Sequence, residues 1–151
     1  MNKILVYSKK EFNIICEINN IDDTNVENID KTAFISINNS KNDKSYFQKE
    51  HNNVLILEFD DISEEEYKKN NDLKLFSEKD AEKIIKFIDN NLNKDILIHC
   101  TAGISRSQAV FRFLTDYYPN FQKDGRWDNP CLYPNQYVLL VLKKVFNNIK
   151  K

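Results

Sequence analysis

The sequence predicts an α/β fold: a single layered domain over residues 1–151, with a mainly parallel central sheet flanked by helices. Three observations predict it. Short runs rich in β-branched and aromatic residues alternate with amphipathic helical patterns. Some of these runs are almost continuously apolar, as in strands that are buried on both faces. The chain has 151 residues, of which 41% are hydrophobic, which suits one core of ordinary size.

The predicted strands are the runs whose composition favours extended structure. They are KILVYS (3–8), FNIICEI (12–18), TAFISI (32–37), NVLILEF (53–59) and DILIH (95–99). The polar segment 38–52 is predicted to be a loop or a short surface helix. The acidic segment after residue 59, DDISEEEYKKNND, has no clear period and is expected to be irregular.

Three helices are predicted from apolar stripes and helix-start signals. Ser77 and Asp80 have the spacing of a capping box, and a helical stripe follows them. A second helix is predicted over 106–118. The last one is expected to start at Pro134, because proline suits the first helical position. Strands that alternate with such helices favour a sheet with helices packed on its faces.

Composition excludes several classes of function. The net charge is −1, so no broad electrostatic case exists for binding nucleic acid or an anionic membrane. No stretch approaches the ~20 apolar residues of a membrane span, and the apolar run at the N-terminus is too short for a signal peptide. The cysteines, Cys16, Cys100 and Cys131, are odd in number and widely spaced, so we expect a reduced, cytoplasmic protein. We expect no metal, since two histidines and no CxxC pair offer little for a zinc site. We also expect a monomer with no cofactor.

The segment DILIHCTAGISRSQAV (95–110) concentrates residue types that are rare in this chain. It holds one of three cysteines, one of two histidines, one of three arginines and one of two glycines. Of the 22 basic residues 19 are lysine, so an arginine indicates a place where a planar, bidentate donor is needed. In parallel sheets, ligands bind beyond the carboxyl ends of the strands. This segment, a strand followed by a tight loop and a helix, is therefore the candidate site.

The loop has the chemistry of a phosphate site. A loop that enters a helix aims several backbone N–H groups at one point, with the positive end of the helix dipole behind them. We expect Cys100 at that point to be a thiolate near neutral pH. Arg106 can grip two oxygens of the same anion, Gly103 supplies backbone freedom, and Ser107 can donate to the sulfur. The predicted phosphate-binding residues are Thr101, Ala102, Gly103, Ile104, Ser105 and Arg106.

The string His99-Cys100-x5-Arg106-Ser107 resembles the HCx5R(S/T) signature of the cysteine-dependent protein tyrosine phosphatases. The fuller string HCTAGISRS is most similar to the dual-specificity branch. The resemblance implies a dual-specificity-phosphatase-like fold and a phosphocysteine intermediate on Cys100, with no metal or cofactor. The implied substrate is a phosphorylated protein or peptide carrying phosphotyrosine, with phosphoserine and phosphothreonine as further candidates.

The resemblance also implies a carboxylic acid that protonates the leaving oxygen. In dual-specificity relatives this acid follows the strand before the first long helix, and here Asp60 and Asp61 follow NVLILEF. Asp61 is favoured, Asp60 is the second candidate and Asp72 the third. Asp61 lies 39 residues before Cys100, a longer spacing than that branch leads us to expect.

Several alternatives stay open at this stage. His99 is expected to order the loop through a hydrogen bond rather than to act as a base. Cys131 is a candidate for a protective disulfide with Cys100, Arg126 for a contact with the substrate, and Trp127 for a lid. The substrate could be a phosphoinositide, a nucleotide or an RNA 5′ end, although the loop brings no lysine to meet extra phosphates. If neither Asp60 nor Asp61 reaches the loop, the protein would instead be a phosphoresidue-binding module with little turnover.

Overall fold

The computed structural model describes residues 2–122 and 133–150, and within them it has four strands and five α-helices. In chain order these are β1 (Ile4–Ser8), α1 (Lys9–Ile18), β2 (Thr32–Asn38), β3 (Val54–Glu58), α2 (Glu64–Lys69), α3 (Glu78–Asp89), β4 (Asp95–Cys100), α4 (Arg106–Tyr117) and α5 (Gln136–Ile149). A short 3-10 helix covers Val26–Asn28. No helix in these two described ranges is long and apolar enough to cross a membrane.

The four strands form one parallel sheet in the order β1-β4-β2-β3. The predicted layered α/β architecture with a parallel sheet is therefore confirmed. In the register of this sheet Ser8 pairs with Cys100, and Ser36 pairs with His99. The carboxyl ends of β1, β4 and β2 consequently meet at one edge, around the last residues of β4.

The core lies on both faces of the sheet, which explains why the strands are almost continuously apolar. Successive strand residues point to opposite faces. Ile4 and Val6 of β1 therefore belong to the larger cluster, which includes residues of α3, α4 and α5, whereas Leu5 and Tyr7 pack against the smaller cluster with Phe12 and Cys16 of α1. The sheet is thus held between one helix on one side and three on the other.

The prediction of a strand at 12–18 is wrong, because these residues belong to helix α1. Ser8 caps this helix, and Glu11 completes the capping box. Phe12 and Cys16, four positions apart, are buried, whereas Ile18 is 72% exposed. A seven-residue apolar run fits both kinds of element, and here the capping box together with spacing of four favours the helix.

Two further boundaries differ from the sequence-based expectations. The segment predicted to be irregular contains α2, which starts with its own capping box between Ser63 and Glu66 and buries none of its residues. Helix α5 starts at Gln136 rather than at Pro134, because the side chain of Asn135 accepts the N–H of Val138 and caps the helix. The predicted capping box at Ser77 is confirmed.

Candidate active site

The candidate site is the loop 101–105, which connects the end of β4 to the start of α4. Cys100 is the last residue of β4 and is only 2% exposed. Thr101, Ala102 and Ile104 are exposed, so a ligand can reach the loop from solvent. Ser105 holds the capping position of α4, but its side chain makes no capping hydrogen bond, which leaves the first N–H groups of this helix available to an anion.

The sulfur of Cys100 makes two hydrogen bonds. The hydroxyl of Ser107 lies 3.0 Å from Sγ, and the backbone N–H of Gly103 lies 3.2 Å from it. Donors of this kind stabilise a negatively charged sulfur. The thiolate is the nucleophilic form of cysteine, and both groups are placed to donate to it.

Only glycine fits at position 103. Its φ is +76°, a conformation that L side chains rarely adopt. A Cβ there would lie 2.8 Å from the backbone carbon of Tyr7, closer than real contacts allow. The carbonyl of Gly103 also accepts a hydrogen bond of 3.1 Å from the side-chain amide of Gln108. Strand β1 and helix α4 together hold the loop tightly around the sulfur.

Arg106 is 3% exposed and holds neighbouring segments with its guanidinium group. Nη1 donates to the carbonyl of Phe59 and Nη2 to the hydroxyl of Thr101, both at 2.8 Å. Nε is buried and has no hydrogen-bond partner in residues 2–122 and 133–150. A buried charged donor without an acceptor is costly. An anion in the loop would supply that acceptor.

His99 is fully buried and links the loop to strand β2. Its Nδ1 lies 3.2 Å from the carbonyl of Cys100, and its Nε2 lies 2.6 Å from the hydroxyl of Ser36. A carbonyl only accepts, so we assign the proton to Nδ1, and Nε2 then accepts from Ser36. Burial lowers the pKa of His99 to about 4. The ring is therefore neutral at physiological pH, and its two hydrogen bonds connect the end of β4 to β2.

This burial predicts an acid-sensitive fold. Between pH 6.5, the ordinary pKa of histidine, and about 4, the unfolded chain binds a proton at His99 that the folded chain does not. The free energy of unfolding should therefore fall as the pH drops through this range, by about 3 kcal/mol for this one group. Urea unfolding at several pH values measures how steeply the free energy of unfolding falls with pH. His99→Gln should remove the contribution of His99 to that slope.

The matched control is the other histidine, His51. Burial by itself would lower its pKa, but hydrogen bonds to Asp23 and Glu27 outweigh it and raise the pKa. His51 therefore stabilises the fold below pH 6.5 and loses that contribution as the pH rises. His51→Gln should keep the acid-side slope. An unchanged slope in His99→Gln would contradict the lowered pKa of His99.

The two adjacent candidate acids point in different directions. Asp60 accepts the N–H of Lys74 at 2.7 Å, and both the N–H and the hydroxyl of Ser40. Burial would raise its pKa, but these hydrogen bonds and the charge of Arg106 lower it below the usual value. A carboxylate held in its ionised form is a poor proton donor. Asp60 therefore holds the segment after β3 in place, and its hydrogen bonds go to Ser40 and Lys74 rather than to the loop 101–105.

Asp61 is exposed and reaches the loop. Its Oδ1 accepts the hydroxyl of Ser105 at 2.7 Å and the side-chain amide of Asn135 at 2.8 Å. Asp72 is exposed between α2 and α3, where its N–H bonds to the side chain of Asn70. Of the three predicted acids, Asp61 is the one that the structure brings to the loop through a hydrogen bond. Cys131, Arg126 and Trp127 lie outside the described residues.

Sequence reasoning missed the polar residues that support the loop from the start of α1 and from β2. The backbone N–H of Lys9 donates to the carbonyl of Thr101 at 3.1 Å. The Nζ of Lys9 pairs with Asp43 and also donates to Asn38. Asn38 in turn donates to the hydroxyl of Ser36, which contacts His99. The available signal was the serine and the asparagine at the end of an otherwise apolar strand.

The described residues contain no group of three or more His, Cys, Asp or Glu side chains placed to hold a metal ion.

The chain was also compared with known proteins. No family model matches it, and no curated protein or solved structure matches it either. The function must therefore be argued from the geometry of the loop and from the residues that surround it.

Proposed function

We propose that the protein is a phosphomonoester hydrolase of the cysteine-dependent, dual-specificity type that acts on phosphorylated proteins or peptides. The observation that carries this proposal is the arrangement around Cys100: its sulfur hydrogen-bonds the Ser107 hydroxyl and the Gly103 N–H, at the start of a loop that enters α4. Arg106 lies in the same loop with its Nε unpartnered among the described residues. The resemblance of HCTAGISRS to the phosphatase signature supports the same conclusion.

The first chemical step is attack of the Cys100 thiolate on phosphorus. The S–P bond forms, the bond to the leaving oxygen breaks, and the carboxyl proton of Asp61 goes to that oxygen. Arg106 and the loop N–H groups stabilise the charge on the oxygens that do not react. The products are the dephosphorylated alcohol or phenol and a phosphocysteine.

The second step hydrolyses the phosphocysteine. The carboxylate of Asp61 now takes a proton from water as the water oxygen attacks phosphorus. The S–P bond breaks and the thiolate of Cys100 leaves, stabilised by the Ser107 hydroxyl at 3.0 Å. The cycle ends with inorganic phosphate and with Asp61 protonated again, so no other reactant than water is consumed.

The residues of the loop favour a single phosphate on a protein side chain. Thr101, Ala102, Ile104 and Ser105 carry no charge, so nothing in the loop is suited to the additional phosphates of an inositol lipid. Ile104 is a residue of the loop, is 40% exposed and offers an apolar contact to an aromatic ring. Phosphotyrosine is therefore the first substrate to test.

The test is phosphate release from four substrates without added metal: an aryl phosphate, a phosphotyrosine peptide, a phosphothreonine peptide and a phosphoinositide. We expect hydrolysis of the aryl phosphate and the phosphotyrosine peptide, with the phosphoinositide poorest. If the phosphoinositide is best, the substrate class is wrong. If none is hydrolysed, the loop is a phosphate-binding site rather than a catalytic one.

Asp61→Asn should slow the enzyme according to its leaving group. A poor leaving group such as the serine hydroxyl needs a proton in the transition state, whereas an activated aryl oxide hardly does. We expect kcat/KM, which reports on the first step alone, to fall about 100-fold on a phosphoserine peptide and much less on the aryl phosphate. The rates of the wild type and of Asp61→Asn are measured side by side on both substrates.

Asp60→Asn is the matched control, since it changes the neighbouring carboxylate in the same way. It should reduce the rates on the two substrates by a similar factor, because Asp60 holds its loop through Ser40 and Lys74. An equal loss on both substrates in Asp61→Asn would exclude Asp61 as the general acid.

A further inference from the structure

Asn135 contacts both catalytic loops, although it precedes α5 and lies far from them in sequence. Its backbone N–H donates to the carbonyl of Ser105 at 3.1 Å. Its side-chain Nδ2 donates to Oδ1 of Asp61 at 2.8 Å and to the carbonyl of Ile62 at 3.2 Å. Both hydrogens of this amide are therefore used by the segment that carries Asp61.

The orientation of this amide is determined by the helix that it caps. Oδ1 of Asn135 accepts the N–H of Val138 at 3.0 Å. Turning the amide over would place its NH₂ against that N–H, and its oxygen against the carboxylate of Asp61. Both contacts would be repulsive. Because α5 packs on α3 and α4, the cap itself is held in place by the core.

The pattern of donors also distinguishes the two oxygens of Asp61. Ser105 and Asn135 both donate to Oδ1. Oδ2 has no hydrogen-bond partner within 2–122 and 133–150. A neutral carboxylic acid has one carbonyl oxygen, which accepts, and one hydroxyl oxygen, which donates. Two donors on Oδ1 therefore leave Oδ2 as the oxygen that carries the proton.

We propose that Asn135 is a positioning residue for the general acid: its amide holds Oδ1 of Asp61, so that Oδ2 faces the leaving oxygen with the proton. This inference rests on the proposed phosphatase function. The acid is placed by the cap of α5, a helix that packs on the core, and the Ser105 hydroxyl is the second point of attachment. The side chain of Asn135 does not touch the substrate and acts through the segment that carries Asp61.

The test separates this role from simple helix capping. Asn135→Ser keeps an oxygen that can cap α5 but cannot reach Asp61. Asn135→Asp keeps the cap and the shape but replaces the donor with a carboxylate. Gln136→Ser is the neighbouring control, since the Gln136 amide bonds to the carbonyl of Pro134. Thermal unfolding establishes that each variant is folded.

The expected result is a loss that depends on the leaving group. Both Asn135 variants should lower kcat/KM, which reports on the first step, about 10-fold or more on a phosphoserine peptide and less than about 3-fold on an aryl phosphate. Gln136→Ser should match the wild type. With Asp61→Asn already present, Asn135→Ser should add less than about 2-fold, because the two residues act as a unit.

Four outcomes would overturn the inference. Equal losses on both substrates, or the same loss with Asp61→Asn present, would make Asn135 a structural cap. Unchanged rates in both Asn135 variants would show that Asp61 needs no such support, while the phosphatase function would stand. A wild type without activity on any substrate would instead reject the proposed function, and the role of Asn135 with it. Should Asn135→Ser fail to fold, Asn135→Asp gives the same comparison.

Discussion

Cys100→Ser should abolish hydrolysis, by about 10⁴-fold or more, and leave the fold intact. A serine hydroxyl is close in size to a thiol but is not deprotonated near neutral pH without a base beside it. The nearest histidine, His99, is neutral and directs its two nitrogens to Ser36 and to the carbonyl of Cys100. It therefore cannot activate the serine.

The same variant should still bind phosphate. The N–H groups of the loop and Arg106 are unchanged, so inorganic phosphate should protect the wild type and Cys100→Ser against thermal unfolding to a similar degree. Phosphate release and thermal shift are measured on the same preparations. Turnover that survives in Cys100→Ser would reject the thiolate mechanism.

Cys16 provides a matched control for the change from sulfur to oxygen. Cys16 is also buried, but in the cluster around α1, and burial raises its pKa to about 12. It is therefore a protonated thiol with no nucleophilic character. Cys16→Ser should keep the rate per folded molecule, whatever it does to stability. Loss of activity in both variants would point to a general effect of the substitution.

The sequence predicted the elements whose signals lie within a few consecutive residues. The strand, loop and helix over 95–118 could be predicted because an apolar run, a glycine and an amphipathic stripe follow one another without a gap. The capping box at Ser77 is likewise a short-range signal. The same kind of signal was present at Ser8 and Glu11, and the apolar run FNIICEI concealed it.

Contacts between distant residues could not be predicted from pattern. Asp60 and Asp61 are identical in type and adjacent, and only the tertiary structure turns one toward Ser40 and the other toward Ser105. Asn135 and Asp61 are 74 positions apart, so their hydrogen bond depends on how α5 packs. Sequence spacing carries no information about such a pair.

Arg106→Lys should lower kcat/KM by about 10³-fold, which corresponds to about 4 kcal/mol of transition-state stabilisation. The charge is kept, but the planar group is lost. The guanidinium bonds Phe59 with one nitrogen and Thr101 with another, and its Nε is directed at neither. A lysine ammonium on its flexible stem cannot make the first two contacts and hold two oxygens of an anion as well.

The loss should extend beyond phosphate binding. Phe59 directly precedes Asp60 and Asp61, so the bond from Nη1 to its carbonyl joins the loop 101–105 to the segment that carries Asp61. We therefore expect Arg106→Lys to lower kcat as well as to raise KM. The difference in rate between the aryl phosphate and the phosphoserine peptide should become larger. Steady-state kinetics on both substrates measure this.

Arg112→Lys is the control, since it makes the same change on α4 at a position outside the loop. Its kcat/KM should stay within about 2-fold of the wild type, as for a change away from the reacting atoms. A near-normal rate in Arg106→Lys would show that a point charge is sufficient, and that the orientation of the guanidinium group contributes nothing. A loss confined to KM would limit Arg106 to ground-state binding and separate it from the placement of Asp61.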